Sequence, residues 1–192
     1  VQSGAHHLLG RETFLAPVEW NSEGWPVVNG NGTVNIDMSN VKTLPQIKMG
    51  TSKDWDFNDD KLGVEWNYLR NPDFSKYSLT ERKGSLRIYP SSTSIDELGS
   101  PSFVGYRQQD INFQATTCMV VDNPDETMRS GMTIYMNNSG HYDLYRQGNS
   151  LMLRYRLGLL SHVKNICQLN DSVLYLKVIG SDAKYTILYS KD

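Results

Sequence analysis

The fold of this chain is decided by the stretch Met132-Thr133-Ile134-Tyr135-Met136-Asn137-Asn138-Ser139-Gly140. Its apolar residues Met132, Ile134 and Met136 recur at every second position, which is the period of a β-strand with one face turned inward. The polar cluster that follows is typical of a hairpin turn. The same period recurs in other short runs, at Leu86 and Ile88 and at Ile111, Phe113 and Ala115. The pattern predicts an all-β chain.

Further turn clusters divide the second half of the chain into short strands. Gln147-Gly148-Asn149 is typical of a hairpin turn, and Gly180-Ser181-Asp182 separates the apolar runs 173–179 and 185–189. With the turn at 137–140, these clusters predict three hairpins joined as a meander. Turns about ten residues apart, with many aromatic and β-branched residues between them, favour two packed antiparallel sheets over a small barrel.

Charge and hydropathy narrow the range of partners. The 192 residues carry a formal net charge of -2, and the sequence pI is about 6.1. No basic stripe is present that could follow a phosphate backbone, so we expect no nucleic acid partner. No apolar run reaches the about 20 residues that a membrane-spanning helix needs, so we expect no membrane partner. Sugars are uncharged and need no strongly charged surface to bind, so a sugar ligand is compatible with this composition.

A different kind of sequence lies near the start, at Gly10-Arg11-Glu12-Thr13-Phe14-Leu15-Ala16-Pro17-Val18-Glu19-Trp20. A strand this apolar needs partner strands that the preceding nine residues cannot supply, so we expect the chain to begin within a domain. This stretch, with the turn Glu23-Gly24-Trp25-Pro26, resembles the last propeller blade of glycoside hydrolase family 43. That family, the β-xylosidase and α-L-arabinofuranosidase group, closes the blade with a Gly-Arg-Glu-Thr run and an Asp/Glu-Gly-Trp-Pro turn.

Four further stretches are similar to the β-sandwich that follows the propeller in many β-xylosidases, and they come in that family's order. They are residues 56–72, 77–82, 103–109 and 141–144. The resemblance implies a concanavalin-like jelly roll, a two-sheet antiparallel β-sandwich, preceded by a remnant of a β-propeller blade. We expect residues 1–30 to be the last strands of a truncated catalytic propeller, 31–54 an extended linker with an edge strand at Val34, Ile36 and Met38, and 55–192 the sandwich.

The resemblance also implies a parent enzyme that removes terminal xylose or arabinose from hemicellulose oligosaccharides by inversion. Inversion needs two carboxyl groups about 6.5 to 9.5 Å apart across a sugar, whereas Glu19 and Glu23 flank one turn. The family takes its catalytic carboxylates from earlier blades. We therefore expect this chain to contain no catalytic residues and to shape or close the active site of its own catalytic propeller domain. Two alternatives stay open: a carbohydrate-binding module for plant polysaccharide, and a purely structural clamp.

Four residues are candidates for contact with a xylo- or arabino-oligosaccharide. Arg11 resembles the arginine that the family places near the terminal sugar, where a guanidinium offers a rigid fork of donors to hydroxyls. The alternative is a surface ion pair of Arg11 with Glu12 or Glu19. In the family resembled, a loop of the sandwich projects an apolar side chain toward the pocket. Our candidates for it are Phe74 in the loop 71–77, and Leu160 and His162 in the loop 158–164.

Exposed aromatic rings could also stack on sugars, and core packing is the alternative for each. The candidates by residue type are Trp66, Tyr142, Tyr145 and Tyr155. Calcium is the one cofactor considered, because oxygen-rich loops can hold it. Its candidate ligands are Asp56, Asp59 and Asp60, although Asp-rich turns are common without metals.

Two cysteines, Cys118 and Cys167, lie in strand-like runs. We expect them to be free and to act as small core residues rather than as a bridge. If the enzyme degrades plant polysaccharide for a bacterium, a location in the periplasm or outside the cell is favoured. A cytoplasmic enzyme acting on imported oligosaccharides is equally consistent with two free cysteines.

Overall fold

A computed structural model describes residues 9–11, 13–35, 52–182 and 184–191, and the chain divides into two compact units, Val1–Trp55 and Asp56–Asp192. The first unit contains an antiparallel hairpin of β1 (Val18–Trp20) and β2 (Pro26–Val28). The Asn21 side chain holds its turn by accepting hydrogen bonds from the backbone amides of Glu23 and Trp25, at 3.0 and 2.9 Å. Val34 lies outside any strand, and Ile36 and Met38, the rest of the expected edge strand, lie outside the described residues.

Among its described residues, the second unit holds eleven further strands and one short 3-10 turn, Phe74–Lys76. The strands are β3 (Trp66–Asn67), β4 (Tyr77–Ser78), β5 (Arg87–Ile88), β6 (Gly105–Tyr106), β7 (Phe113–Val120), β8 (Arg129–Asn137), β9 (Gly140–Gln147), β10 (Ser150–Leu157), β11 (Leu160–Gln168), β12 (Val173–Ser181) and β13 (Lys184–Ser190).

Two antiparallel sheets form the body of this unit. The four-stranded sheet has the order β11-β10-β9-β8 and the three-stranded sheet the order β13-β12-β7. Two small ribbons, β3-β6 and β4-β5, accompany them. The predicted all-β sandwich is confirmed, and the hairpin turns expected near 137–140 and 147–149 join β8 to β9 and β9 to β10.

The expected single meander is wrong, because the third predicted hairpin, β12-β13, belongs to the three-stranded sheet. The connection from β11 to β12 contains Leu169, which is buried in the core between the sheets. Burying this leucine draws the chain across from one sheet to the other, since the apolar side chain is more stable there than in water.

The core lies between the two sheets and is formed mainly by leucines. Leu144 and Leu151 come from the four-stranded sheet, and Leu174 and Leu176 come from β12. Leu151, Leu174 and Leu176 are 0% exposed. Burying a leucine side chain contributes about 1.5 to 3 kcal/mol, so this cluster joins the sheets face to face.

The period-two pattern predicts the inward face on β8, and it fails at a bulge, on a two-residue strand and on the edge strand β7. Met132 and Ile134 are half-buried on the inner face of β8, but Met136 is exposed because it lies at a bulge between Tyr135 and Asn137. Ile88 is exposed on the two-residue strand β5, and Ala115 is exposed on β7. An inward face is realised only where a second sheet covers the strand.

The two cysteines are free, as expected, but only one packs against the core. Cys167 is half-buried against the leucine cluster. Cys118 is exposed, so its predicted core role is wrong. It lies opposite Tyr175 of β12, on the face of the three-stranded sheet away from the leucines. No helix among the described residues is long and apolar enough to cross a membrane.

Candidate functional site

Arg11 lies in the first unit, before the β1-β2 hairpin, and its side chain is exposed. Glu19 of β1 is exposed as well, while Glu12, the other partner considered for a surface pair, lies outside the described residues. The role of Arg11 in sugar binding therefore stays a prediction.

Phe74 opens the 3-10 turn at 74–76, and its ring is exposed. Asp73 caps this turn by accepting a hydrogen bond from the Ser75 amide at 3.1 Å. One edge of Phe74 packs against Tyr68 at a centroid distance of 5.3 Å, and Tyr68 packs in the same way on Tyr77 at 5.2 Å. Phe74 is thus the most exposed ring of a small aromatic cluster with Tyr68 and Tyr77.

Leu160 and His162 lie on a strand, which corrects the loop expected at 158–164. The chain turns at Gly158 and Leu159, and β11 begins at Leu160, because Gly158 adopts the left-handed backbone (φ 62°) that lets β10 and β11 meet in a tight hairpin. The ring of His162 stacks on Tyr155 of the neighbouring strand at 5.2 Å.

The end of this hairpin is apolar and exposed. We call residues 157–160 the leucine tip; its three leucines, Leu157, Leu159 and Leu160, are all exposed, and Leu159 is fully so. The structure therefore places Leu160 and His162 on the same hairpin and places Phe74 in a separate aromatic cluster.

The three aspartates considered for calcium are exposed. Asp56 accepts hydrogen bonds from the Asn58 side chain at 2.8 Å and from its amide at 3.1 Å, and these bonds lower the pKa of Asp56. Across the described ranges, no group of three or more His, Cys, Asp or Glu side chains is placed to hold a metal ion. The structure thus gives the calcium site at Asp56, Asp59 and Asp60 no support, and it stays a prediction.

The candidate aromatic residues do not share one exposed surface. Trp66 is half-buried between Phe57 and Tyr106, with centroid distances of 6.0 Å to each. Tyr145 is buried, Tyr142 is half-buried near Tyr185 of the other sheet, and only Tyr155 is exposed. A row of rings suited to a polysaccharide is therefore not formed by these four side chains.

A group of charged side chains that sequence reasoning overlooked lies on the outer face of the four-stranded sheet. The strand register brings these side chains together, because His141 lies opposite Arg156 and Asp143 lies opposite Arg154. Asp96 reaches them from the segment 90–103. We call this group the Asp96 cluster; it consists of Asp96, Thr133, His141, Asp143, Arg154 and Arg156.

His141 is at the centre of the Asp96 cluster and is 1% exposed. Its Nε2 lies 2.9 Å from Asp96 Oδ1, and its Nδ1 lies 2.8 Å from Asp143 Oδ2. Thr133 donates a further hydrogen bond to Asp143 at 2.7 Å. Since ionised carboxylates only accept, both imidazole contacts are hydrogen bonds when both ring nitrogens carry hydrogen.

Asp96 also accepts from two guanidinium groups. Arg154 donates from Nη1 to Oδ2 at 2.7 Å and from Nη2 to Oδ1 at 3.0 Å, and Arg156 Nη1 lies 2.7 Å from Oδ1. Burial raises the pKa of Asp96, but hydrogen bonds from Arg154, Arg156 and His141 outweigh it and hold that pKa well below the ordinary aspartate value. Asp96 is therefore a permanent anion at neutral pH and cannot act as a general acid.

The sequence carries one signal that could have revealed this cluster. Polar residues recur with period two at His141 and Asp143 and again at Arg154 and Arg156, and the residues between them, Tyr142 and Tyr155, are aromatic. Such a pattern predicts a polar face. It does not reveal that a remote aspartate, Asp96, completes the group, because that contact joins residues 58 positions apart.

Two antiparallel sheets with a leucine core between them define this chain as a β-sandwich protein. Residues 54–192 match the family described as the β-xylosidase C-terminal concanavalin A-like domain. The chain belongs to this family, whose members are ancillary domains of glycoside hydrolase family 43 enzymes.

Curated relatives carry names from the same group of enzymes. The chain is 36% identical over 142 residues to the non-reducing end α-L-arabinofuranosidase BoGH43B of Bacteroides ovatus. The matched region covers 74% of this chain and 27% of that protein. It is 33% identical over 162 residues to a xylosidase/arabinosidase of Butyrivibrio fibrisolvens, covering 78% of this chain and 29% of that protein. The chain thus spans under a third of the length of these two relatives.

Solved structures agree with the fold. The Bacteroides ovatus xyloglucan PUL GH43B structure superposes with a TM-score of 0.78 at 30% identity, covering 94% of this chain and 37% of that chain. The GH43 BlXynB protein of Bacillus licheniformis superposes with a TM-score of 0.79 at 25% identity, covering 95% of this chain and 36% of that chain.

Proposed function

We propose that this chain is the C-terminal part of a family 43 hydrolase that removes terminal xylose or arabinose from hemicellulose oligosaccharides by inversion. In this proposal the sandwich carries no catalytic residue and shapes or closes the active site of the enzyme's own catalytic propeller domain. The names of the two curated relatives, an arabinofuranosidase and a xylosidase/arabinosidase, support the substrate class. The N-terminal motif at 10–26 supports the assignment of residues 1–30 to that propeller and 31–54 to a linker.

The observation that carries the pocket-closing role is the leucine tip. Leu157, Leu159 and Leu160 are exposed together at the end of a hairpin, with the His162 and Tyr155 rings stacked beside them. A group of exposed apolar side chains at one place marks an interaction surface. A projecting apolar hairpin can exclude water from a sugar pocket and limit the length of that pocket. This is the role we assign to Leu160 and His162.

The four aromatic residues considered for the binding-module alternative do not support it. It requires a row of exposed aromatic rings beside polar groups, yet Tyr145 is buried and Trp66 and Tyr142 are half-buried. The clamp alternative requires neither an aromatic row nor an apolar tip, so the tip distinguishes it from the pocket-closing role.

The first test uses the enzyme that carries this chain. We expect Leu160→Ser or His162→Ala to lower kcat/KM for aryl β-xyloside or aryl α-arabinofuranoside by about tenfold or more, because one lost pocket contact is worth about 1 to 3 kcal/mol. Val163→Ser is the matched control, since Val163 is also exposed but alternates to the opposite face of β11. Unchanged kinetics with a lowered melting temperature would favour the clamp.

The second test uses this chain alone, titrated calorimetrically with xylo-oligosaccharides, arabino-oligosaccharides and soluble xylan, beside a hydrolysis assay on the two aryl glycosides. We expect neither turnover nor saturable binding. Saturable binding without turnover would establish the carbohydrate-binding module instead. Turnover would contradict the absence of catalytic carboxylates.

A further inference from the structure

The donors around Asp96 form a receptor for a carboxylate. Arg154 binds both oxygens of Asp96 with a two-pronged contact, Arg156 adds a third contact, and the imidazole of His141 adds a fourth at 2.9 Å. Bidentate binding by a guanidinium is the geometry with which proteins recognise free carboxylates. Here the carboxylate belongs to the chain itself.

The segment that supplies Asp96 makes few other hydrogen bonds or ring contacts with the four-stranded sheet. Residues 90–103 contain no strand or helix. Besides those of the Asp96 side chain, the hydrogen bonds and ring contacts that join this segment to the four-stranded sheet and its turns are the Phe103 ring against Tyr135 at 5.5 Å and a hydrogen bond from the Asn138 side-chain amide to the Asp96 carbonyl at 3.4 Å. The Asp96 carboxylate therefore makes the strongest contact between this segment and the sheet.

The receptor is also open at one side. The side chains of Asp96 and Arg156 are 20% and 25% exposed, while the side chain of Arg154 is 11% exposed and that of His141 is fully buried. A small solute can therefore reach the guanidinium groups once Asp96 is removed. The Nε of Arg154 is held in place by Ser161 at 3.2 Å, so the receptor keeps one of its arginines positioned without Asp96.

We propose that His141, Arg154 and Arg156 form a preorganised carboxylate-binding site that Asp96 occupies as an internal ligand, and that this contact latches the segment 90–103 onto the four-stranded sheet. The site takes a small carboxylate when Asp96 is absent. With Asp96 in place, the site is filled and free carboxylates do not bind.

The experiment is chemical rescue of Asp96→Gly in the 192-residue chain. In chloride buffer we expect its melting temperature to fall by several degrees and the amides of 90–103 to exchange with solvent at least about tenfold faster, since the latch is lost. Replacing chloride by acetate at equal ionic strength should restore a substantial part of both losses. Acetate should leave the unsubstituted chain unchanged.

Two variants provide controls. Asp122→Gly removes an aspartate whose ion pair with Arg87 lies on the surface at 3.0 Å, so acetate should not rescue it. Asp96→Asn keeps the receptor filled with an uncharged amide of the same shape, so it should loosen 90–103 and respond little to acetate.

Equal acetate shifts in all of these chains would show a general salt effect and overturn the proposal. Unchanged exchange of 90–103 in both Asp96 variants would overturn the latch. If Asp96→Gly does not fold in chloride, the yield of refolded chain in acetate is the deciding measurement: recovery supports the site, and no recovery rejects it.

Discussion

At the residue scale, the charge state of Asp96 is set by side chains that are remote from it in the sequence. It comes from a segment without regular structure, and yet its carboxylate contacts Arg154, Arg156 and His141. Each of these donors stabilises the anion, and together they outweigh the cost of partial burial. The sequence around Asp96 is that of an ordinary polar loop, so only the folded contacts reveal its role.

The lowered pKa of Asp96 predicts an acid-sensitive contribution to stability. A group with a depressed folded-state pKa stabilises the fold above its unfolded-state value and loses that contribution as the pH falls toward the folded-state value. For Asp96 the loss begins near the ordinary value of 3.8 and continues below it. We expect melting temperatures measured between pH 2 and 6 to fall less steeply on acidification in Asp96→Asn than in the unsubstituted chain. Parallel pH profiles would contradict this.

A second prediction at this scale concerns the leucine core. Leu174→Ala should lower the free energy of unfolding by about 2 to 5 kcal/mol, because a fully buried side chain leaves a cavity. Leu159→Ala is the control and should change it by less than about 0.5 kcal/mol, since Leu159 is fully exposed. Urea denaturation measures both. Similar losses in the two variants would mean that the tip packs against something in this chain.

At the scale of elements, the strand register places the functional side chains. In β9, His141 and Asp143 face away from the core while Leu144 faces into it, and β10 repeats the pattern with Arg154 and Leu151. A shift of one residue would exchange the two faces. Because the β10-β11 hairpin turns within two residues, Leu160 and His162 lie at the start of β11 and not in the expected loop.

Gly131 provides a test of this register. A side chain at this position of β8 would overlap the Leu144 carbonyl oxygen and the Tyr145 backbone of the paired strand β9. We expect Gly131→Ala to destabilise the chain by at least about 1 to 3 kcal/mol, because backbone atoms cannot move aside without parting the strands.

The matched control is Gly140→Ala at the start of β9. The nearest atom to its added Cβ would be the Asn137 side-chain oxygen at 3.5 Å, an ordinary contact. We expect Gly140→Ala to leave the melting temperature unchanged or slightly raised, since alanine reduces the entropy of the unfolded chain. A melting temperature for Gly131→Ala equal to that of Gly140→Ala would contradict the register of β8 and β9.

At the scale of the whole molecule, the chain consists of two compact units, with the boundary after Trp55. The family match begins at residue 54, close to that boundary. The second unit contains the leucine core, both main sheets and the Asp96 cluster. It therefore has what an independently folding domain requires.

Removing residues 1–53 tests this division. We expect the remaining chain, 54–192, to melt within a few degrees of the full chain, because it contains every residue of the leucine core cluster. Differential scanning calorimetry of the two chains measures the difference between their melting temperatures. A large fall in melting temperature would show that the N-terminal unit stabilises the sandwich and would favour the clamp among the proposed roles.

The sequence by itself determined the fold class, the main hairpins and the family. These follow from local patterns: period-two apolar runs, turn residues and short motifs such as those at 141–144. Each pattern is encoded within a few neighbouring residues, so it can be recognised without knowing what the segment packs against.

Only the tertiary structure decided which residues act together. The burial of Tyr145, the exposure of Met136 and Cys118 and the assignment of β12-β13 to a second sheet depend on what covers each strand. The contact of Asp96 with Arg154 joins residues 58 positions apart. Such contacts are set by the balance of burial and charge over the whole fold, and no local pattern carries that balance.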